Sequence, residues 1–116
     1  MGAGAASYIA AHYRHTRMGA VTLPIAVRRT GGAITIVKPS AKYYSRSGTH
    51  SVFYFPADIS AIIFLDQSNS GRRSVHVRCL TGDAQFCDAL WRCAYLHWAV
   101  RRLGARDVIA ALQSCR

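Results

Sequence analysis

The residues best suited to chemistry crowd into one stretch. CDALWRCAYLHWAVRRLG (87–104) holds Cys87, Cys93 and His97 beside Trp91, Trp98 and three arginines. On a helix advancing about 100° per residue, Cys93 and His97 stack one turn apart on the apolar face. A Cys-x3-His pair on one helix face supplies two zinc ligands, and His76, Cys79 or Cys115 would have to complete the set. The spacing speaks against it. Cys79-x7-Cys87-x5-Cys93-x3-His97 forms no paired-knuckle pattern, and His76 and Cys79, three apart, point to opposite faces of a strand. No metal and no cofactor are expected, and His97 is read as a core or interface residue.

The four cysteines are an even number, which invites disulfides. The opening MGAGAASYIAA, however, lacks the charged start and apolar stretch of a secretory leader. A reducing, cytoplasmic setting (or a virion interior) is therefore expected, with free buried thiols. No apolar run approaches the ~20 residues of a membrane span, so no membrane partner is expected.

Catalysis finds little support. His12, His15, His50, His76 and His97 are possible acid–base groups. Yet GxSxG, HExxH, Walker and dinucleotide motifs are all missing from the sequence. His50 and Ser51 are strand neighbours and point apart. A metal-independent nuclease built on His50, His76 and an arginine is conceivable, but the chain is expected not to be an enzyme.

Charge carries more information. Fifteen basic residues face five acidic ones, for a net +10. Thirteen of the fifteen are arginine, every acid is aspartate, and there is no glutamate. Arginine's planar fork of donors suits phosphate, and such an excess favours a polyanion, most often nucleic acid. Genome composition alone enriches arginine over lysine, but it leaves the threefold excess of base over acid unexplained.

These residues need elements to position them. Residues 1–19 read as an N-terminal helix or arm, because Tyr8, Ile9, His12 and Tyr13 fall near helical spacing. Residues 20–80 alternate as strands. AVTLPIAVRR and AITIVK form a hairpin over TGG, Pro24 marks an edge strand or bulge, and DISAIIFLD is a central strand. Residues 83–116 form C-terminal helices, capped by Thr81 or Asp83, with Gly104 as the stop. The expected fold is a single α+β domain: an antiparallel sheet of five or six short strands, one face covered by a C-terminal helix, with a short N-terminal helix or arm.

Placed on that frame, Val75, Val77 and Cys79 meet the helices, while Arg72, Ser74, His76 and Arg78 line an open basic sheet face. Arg28 extends that face, Lys42 and Arg46 lie near one edge, and Arg73 adds to the rim. Tyr43 or Tyr44, and His50 or Phe53, would add aromatic surface. Arginines mixed with aromatics on a sheet are how single strands are gripped. The helix bearing Trp91, Tyr95 and Trp98 has an apolar arc of roughly two thirds of its circumference, wider than one sheet requires. A second copy is the expected cover, giving a homodimer through these three aromatics. The leading expectation is a small protein binding single-stranded DNA or RNA. The alternatives are a structural or assembly protein, by fold-level analogy with small viral coat proteins, and a basic regulator of an acidic partner.

Overall fold

In the computed structural model, residues 7–14 and 23–115 are described. Seven strands come first: β1 (Tyr8–Arg14), β2 (Ile25–Thr30), β3 (Ala33–Val37), β4 (Ala41–Tyr44), β5 (His50–Pro56), β6 (Ala61–Gln67) and β7 (Arg73–Cys79). Helix α1 (Ala84–Tyr95) runs on into a π-helical stretch (Leu96–Val100), and α2 (Ala105–Gln113) follows.

The strands form two antiparallel sheets, β1-β5-β4 and β3-β2-β6-β7. This corrects the single sheet expected from sequence. Alternation tells which face a residue takes but not which sheet its strand joins. Two of the three crossings occur at prolines: Pro39 lies between β3 and β4, and Pro56 ends β5 before β6. A proline cannot donate to a continuing ladder.

β6 shows why the layers stack as they do. Ile63 and Leu65 join Val27, Phe86, Leu90, Val108 and Leu112 in a core under the helices. Ile62, from the opposite face of β6, joins Ala11, Tyr13, Phe53 and Phe55 in a second core between the sheets. A strand covered on both faces reads as an unbroken apolar run, so the central position expected for DISAIIFLD holds. The order is three layers: a three-stranded sheet, a four-stranded sheet and helices. α+β architecture with helices on one sheet face is thus retained, at two sheets.

The expected N-terminal helix is a strand where it is described. Ile9 and Tyr13 pack into the inter-sheet core with Ala11, while Tyr8, His12 and Arg14 are exposed. Seven residues of β1 pair in register with β5, from Tyr8 opposite Pro56 to Arg14 opposite His50. A short isolated helix is marginal, and a full ladder with a buried face outcompetes it. The remainder of the expected helix, with Val21 and Thr22, lies outside the described residues. Pro24 is a second correction: it precedes β2, which lies between β3 and β6, so it marks neither an edge nor a bulge. The β2–β3 hairpin forms as expected over Gly31, whose φ of 61° lies in the left-handed region.

Asp83 caps α1, its Oδ1 accepting from the Phe86 N–H at 3.0 Å, and its Oδ2 accepts from Arg29 at 2.7 Å. These donors, the Phe86 N–H first, hold the carboxyl below its ordinary value of 3.8. A carboxylate lowered on folding adds stability that is complete above its ordinary value and lost as pH falls through the lower, folded one. Asp83→Asn, which keeps a capping oxygen, is expected to flatten the acid side of the stability curve. Denaturant midpoints at neutral and acid pH check this, and equal acid losses in both proteins would refute it.

Gly104 does not end α1. Arg102 takes the left-handed conformation there, with φ 55°, and its guanidinium donates to the Gly71 carbonyl at 3.1 Å. Gly104 instead starts α2. The thiols expected free are paired. Cys79, ending β7, is bonded to Cys87 in the first turn of α1, and Cys93 is bonded to Cys115 beyond α2. The sequence separations, 8 and 22 residues, join successive elements. Packing of α2 on α1 brings Cys93 and Cys115 to 6.5 Å between Cα atoms.

Candidate nucleic-acid interface

The face expected to be open is largely roofed. Val75 and Val77 do meet the helix layer, so Arg72, Ser74, His76 and Arg78 lie on the other side of β7. That side is covered in its centre by the three-stranded sheet, packed on Ala26, Ile62 and Phe64. What remains is a cleft of about 410 Å³ between β1 and β7, lined by His12, Tyr13, Phe64, Asp66, His76 and Arg78 among others.

Several of the expected binding residues serve the fold. Arg78 donates to the Ala10 carbonyl at 3.1 Å and ties β7 to β1. Arg28 pairs with Asp58 at 2.7 Å. Arg73 points to the helix side. Its guanidinium lies 3.9 Å from the centre of the Trp98 ring and donates to the Trp98 and Leu103 carbonyls at 3.2 and 2.6 Å. Arg73 is therefore a clamp between β7 and the end of α1, not part of a rim. Arg72 and His76 stay exposed on the β7 side, Lys42 and Arg46 on the β4 side. The structure does not bring these residues into one surface.

In the cleft, the Tyr13 hydroxyl donates to Asp66, and the Tyr13 ring stacks parallel to Phe64 at 5.8 Å. Burial first, and then Asp66, push the phenol well above its ordinary value of 10.0. The hydrogen bond from Tyr13 to Asp66 joins the two sheets. The Cys93–His97 pair does not form a ligand set. The sulfur is in a disulfide, and His97 Nδ1 lies 2.7 Å from the Cys93 carbonyl. Among the described residues, no three His, Cys, Asp or Glu side chains gather as a metal site would require.

Trp98 corrects the expected interface. It is 5% exposed, while Trp91 is 37% exposed. In a continuous α-helix both fall in one stripe. The π-helical stretch takes one more residue per hydrogen bond, as in the bond from the Arg101 N–H to the Leu96 carbonyl. The phase slips, and Trp98 turns inward to join Leu90 and Ala94, where its Nε1 donates to the Asp66 carbonyl at 2.9 Å. Trp91 instead stacks on Tyr95 at 4.8 Å and donates to the Val75 carbonyl on β7 at 3.0 Å.

A different surface is open. On the outer face of the three-stranded sheet, β1 contributes Tyr8, Ala10, His12 and Arg14, and β5 contributes His50, Val52, Tyr54 and Pro56. β4 adds Ala41 and Tyr43. The register places Ala10, Tyr54 and Ala41 side by side, and His12, Val52 and Tyr43 in the next row. Tyr8 and Tyr43 are 52% and 62% exposed. Together with Ser40, Ala41 and Tyr54 they line an open depression of about 470 Å³. No acidic residue occurs on β1, β4 or β5.

Tyr8, His12 and Arg14 escape a reading that makes residues 8–14 a helix, and Tyr54, on a stretch read correctly as a strand, is missed because its face depends on which sheet β5 joins. Two signals in the sequence point to them. YIAAHYR alternates as well as it follows helical spacing. In addition, every acid of the chain lies at Asp58 or beyond, while residues 1–57 carry seven basic residues. Comparison with known proteins adds nothing to this geometry: no protein family, no curated protein and no solved structure matches the chain.

Proposed function

We propose that the protein is a small basic nucleic-acid-binding protein whose binding surface is the outer face of the three-stranded sheet. The observation that carries this is an open, tyrosine-bearing sheet face edged by cations and free of carboxylates. Arg14, His12 and His50 are exposed there and Arg46 is exposed just past β4, while Lys42, opposite Phe53, is exposed on the other side of the β4 edge. By contrast, Arg28, Arg29 and Arg92 are neutralised by Asp58, Asp83 and Asp88. Residues 1–57 carry seven basic residues and no acid, against eight basic and five acidic residues in 58–116, and β1, β4 and β5 all come from that acid-free part. The role is one of binding, and labelled RNA and DNA should remain intact on incubation.

Titration of a fluorescent oligonucleotide at several salt concentrations tests this. Affinity should fall steeply as salt rises, because binding releases counterions. Arg14→Ala combined with Arg46→Ala should weaken binding and lower the salt slope, by about 0.7 for each single-strand phosphate that is no longer neutralised. No retention at about 50 mM salt would refute nucleic-acid binding.

Homodimerisation through the C-terminal helix remains part of the proposal, on a revised patch. Trp91, Tyr95, Leu96 and Val100 are exposed along this helix, and the buried Trp98 no longer belongs to the patch. Among the described residues, no helix is long and apolar enough to cross a membrane. A cytoplasmic location carries a condition of its own: in a reducing compartment the four cysteines would be thiols, and the fold would rest on packing alone.

A further inference from the structure

We infer that the nucleic acid taken by this surface is single-stranded, with successive bases seated on Tyr8 and in the corner between Tyr54 and Tyr43. This rests on the nucleic-acid reading and narrows it to a strand state and a path.

The path follows from the register. Tyr8 lies opposite Pro56, and Tyr54 is two residues along β5 on the same face. Tyr54 lies opposite Ala41, and Tyr43 is two residues along β4. The three tyrosines therefore run diagonally, one per strand, across all three strands. Diagonal neighbours on a sheet face are about 7–8 Å apart. A duplex holds its bases about 3.4 Å apart and hides their faces inside the stack. A single strand can splay successive bases and offer each face to a ring.

The residues between the rings favour this use. Ala10 and Ala41 flank Tyr54 on both sides at the same level, so no bulky neighbour closes over the ring. Tyr43 and Tyr54 meet at 86° with ring centres 5.7 Å apart. The two planes form a corner, in which a base stacked on one ring meets the other edge-on. Tyr8, more than half exposed, offers the next ring along the diagonal. Arg46 lies just past β4, so a cation stands near the Tyr43 end of the diagonal, while Arg14, opposite His50, adds charge at the far end of β1 from Tyr8. Charge complementarity fits a phosphate chain, and ring faces fit unpaired bases.

The test compares a fluorescent oligothymidine, a hairpin duplex of matched charge, and heparin, each at low salt. The single strand is expected to bind at least tenfold more tightly than the hairpin. Tyr8→Leu and Tyr54→Leu should each weaken single-strand binding about tenfold, in line with the loss of one base–ring stack. Tyr8→Phe should restore it, because the ring face and not the hydroxyl does the holding. Heparin binding and circular dichroism should be unchanged in Tyr8→Leu, which shows that the fold and the charge survive. Equal affinity for single strand and hairpin, or undiminished single-strand binding by Tyr8→Leu, would overturn the inference and leave the broader nucleic-acid reading standing. Failure of every nucleic acid to bind would overturn both.

Discussion

Trp98→Ala is expected to lower the unfolding free energy by about 3–5 kcal/mol, the usual loss for a buried aromatic, while Trp91→Ala should cost no more than about 1.5 kcal/mol. The contrast follows from position. Trp98 fills the helix-side core, satisfies the Asp66 carbonyl and supports the Arg73 guanidinium. Its removal would open a cavity and leave a carbonyl without its donor. Trp91 would lose a stack on Tyr95 and one bond to the Val75 carbonyl, at a site water reaches. Urea midpoints measured with matched slopes check the pair. If the dimer forms through the exposed helix patch, Trp91→Ala with Leu96→Glu should halve the mass seen by light scattering. Trp98→Ala should leave it unchanged while the protein stays folded. Equal stability losses at the two tryptophans would show that the helix does not slip phase at Leu96.

Removing the Cys93–Cys115 bridge, by Cys93→Ala with Cys115→Ala, is expected to cost about 3 kcal/mol. That is the loop-closure entropy for a separation of 22 residues. The Cys79–Cys87 bridge spans 8 residues and should be worth somewhat less. Both matter in a domain of this size, whose total stability is about 5–15 kcal/mol. Guanidinium unfolding with and without reductant gives the combined effect, and alkylation without reductant counts the thiols. Four alkylated thiols in the native protein, with a midpoint indifferent to reductant, would refute both bridges.

The sequence is most legible where one local rule suffices. DISAIIFLD is apolar on both faces and becomes β6, buried between layers. The Asp83 cap and the Gly31 turn each follow from one residue's chemistry. Legibility ends where a choice depends on distant partners. YIAAHYR satisfies a helix and a strand alike, and only β5 decides between them. Whether Cys93 bonds to Cys115 depends on how α2 returns along α1. The inward turn of Trp98 depends on one extra residue in the helical repeat, to which a wheel drawn at constant pitch is blind. The binding surface is where these effects compound. Once β1 is taken for a helix, its tyrosines and Arg14 drop out, and the basic face is sought on β7, beneath the second sheet.

The two sheets leave four strand edges, and these are closed unequally. At β7, Trp91 occupies the Val75 carbonyl and a disulfide joins the strand end to α1, while Arg78 links β7 to β1. The opposite edges, β3 and β4, both belong to the single segment 33–44. That segment, with its Pro39, also holds both of the chain's lysines, Lys38 and Lys42, in a protein that elsewhere uses arginine for every basic position. An open strand edge is a template for another chain, and lysine and proline are the residues that discourage it. The two lysines stand where gatekeepers against edge-to-edge pairing are placed. A charge-neutral segment here would leave two adhesive edges on a protein already rich in apolar strands.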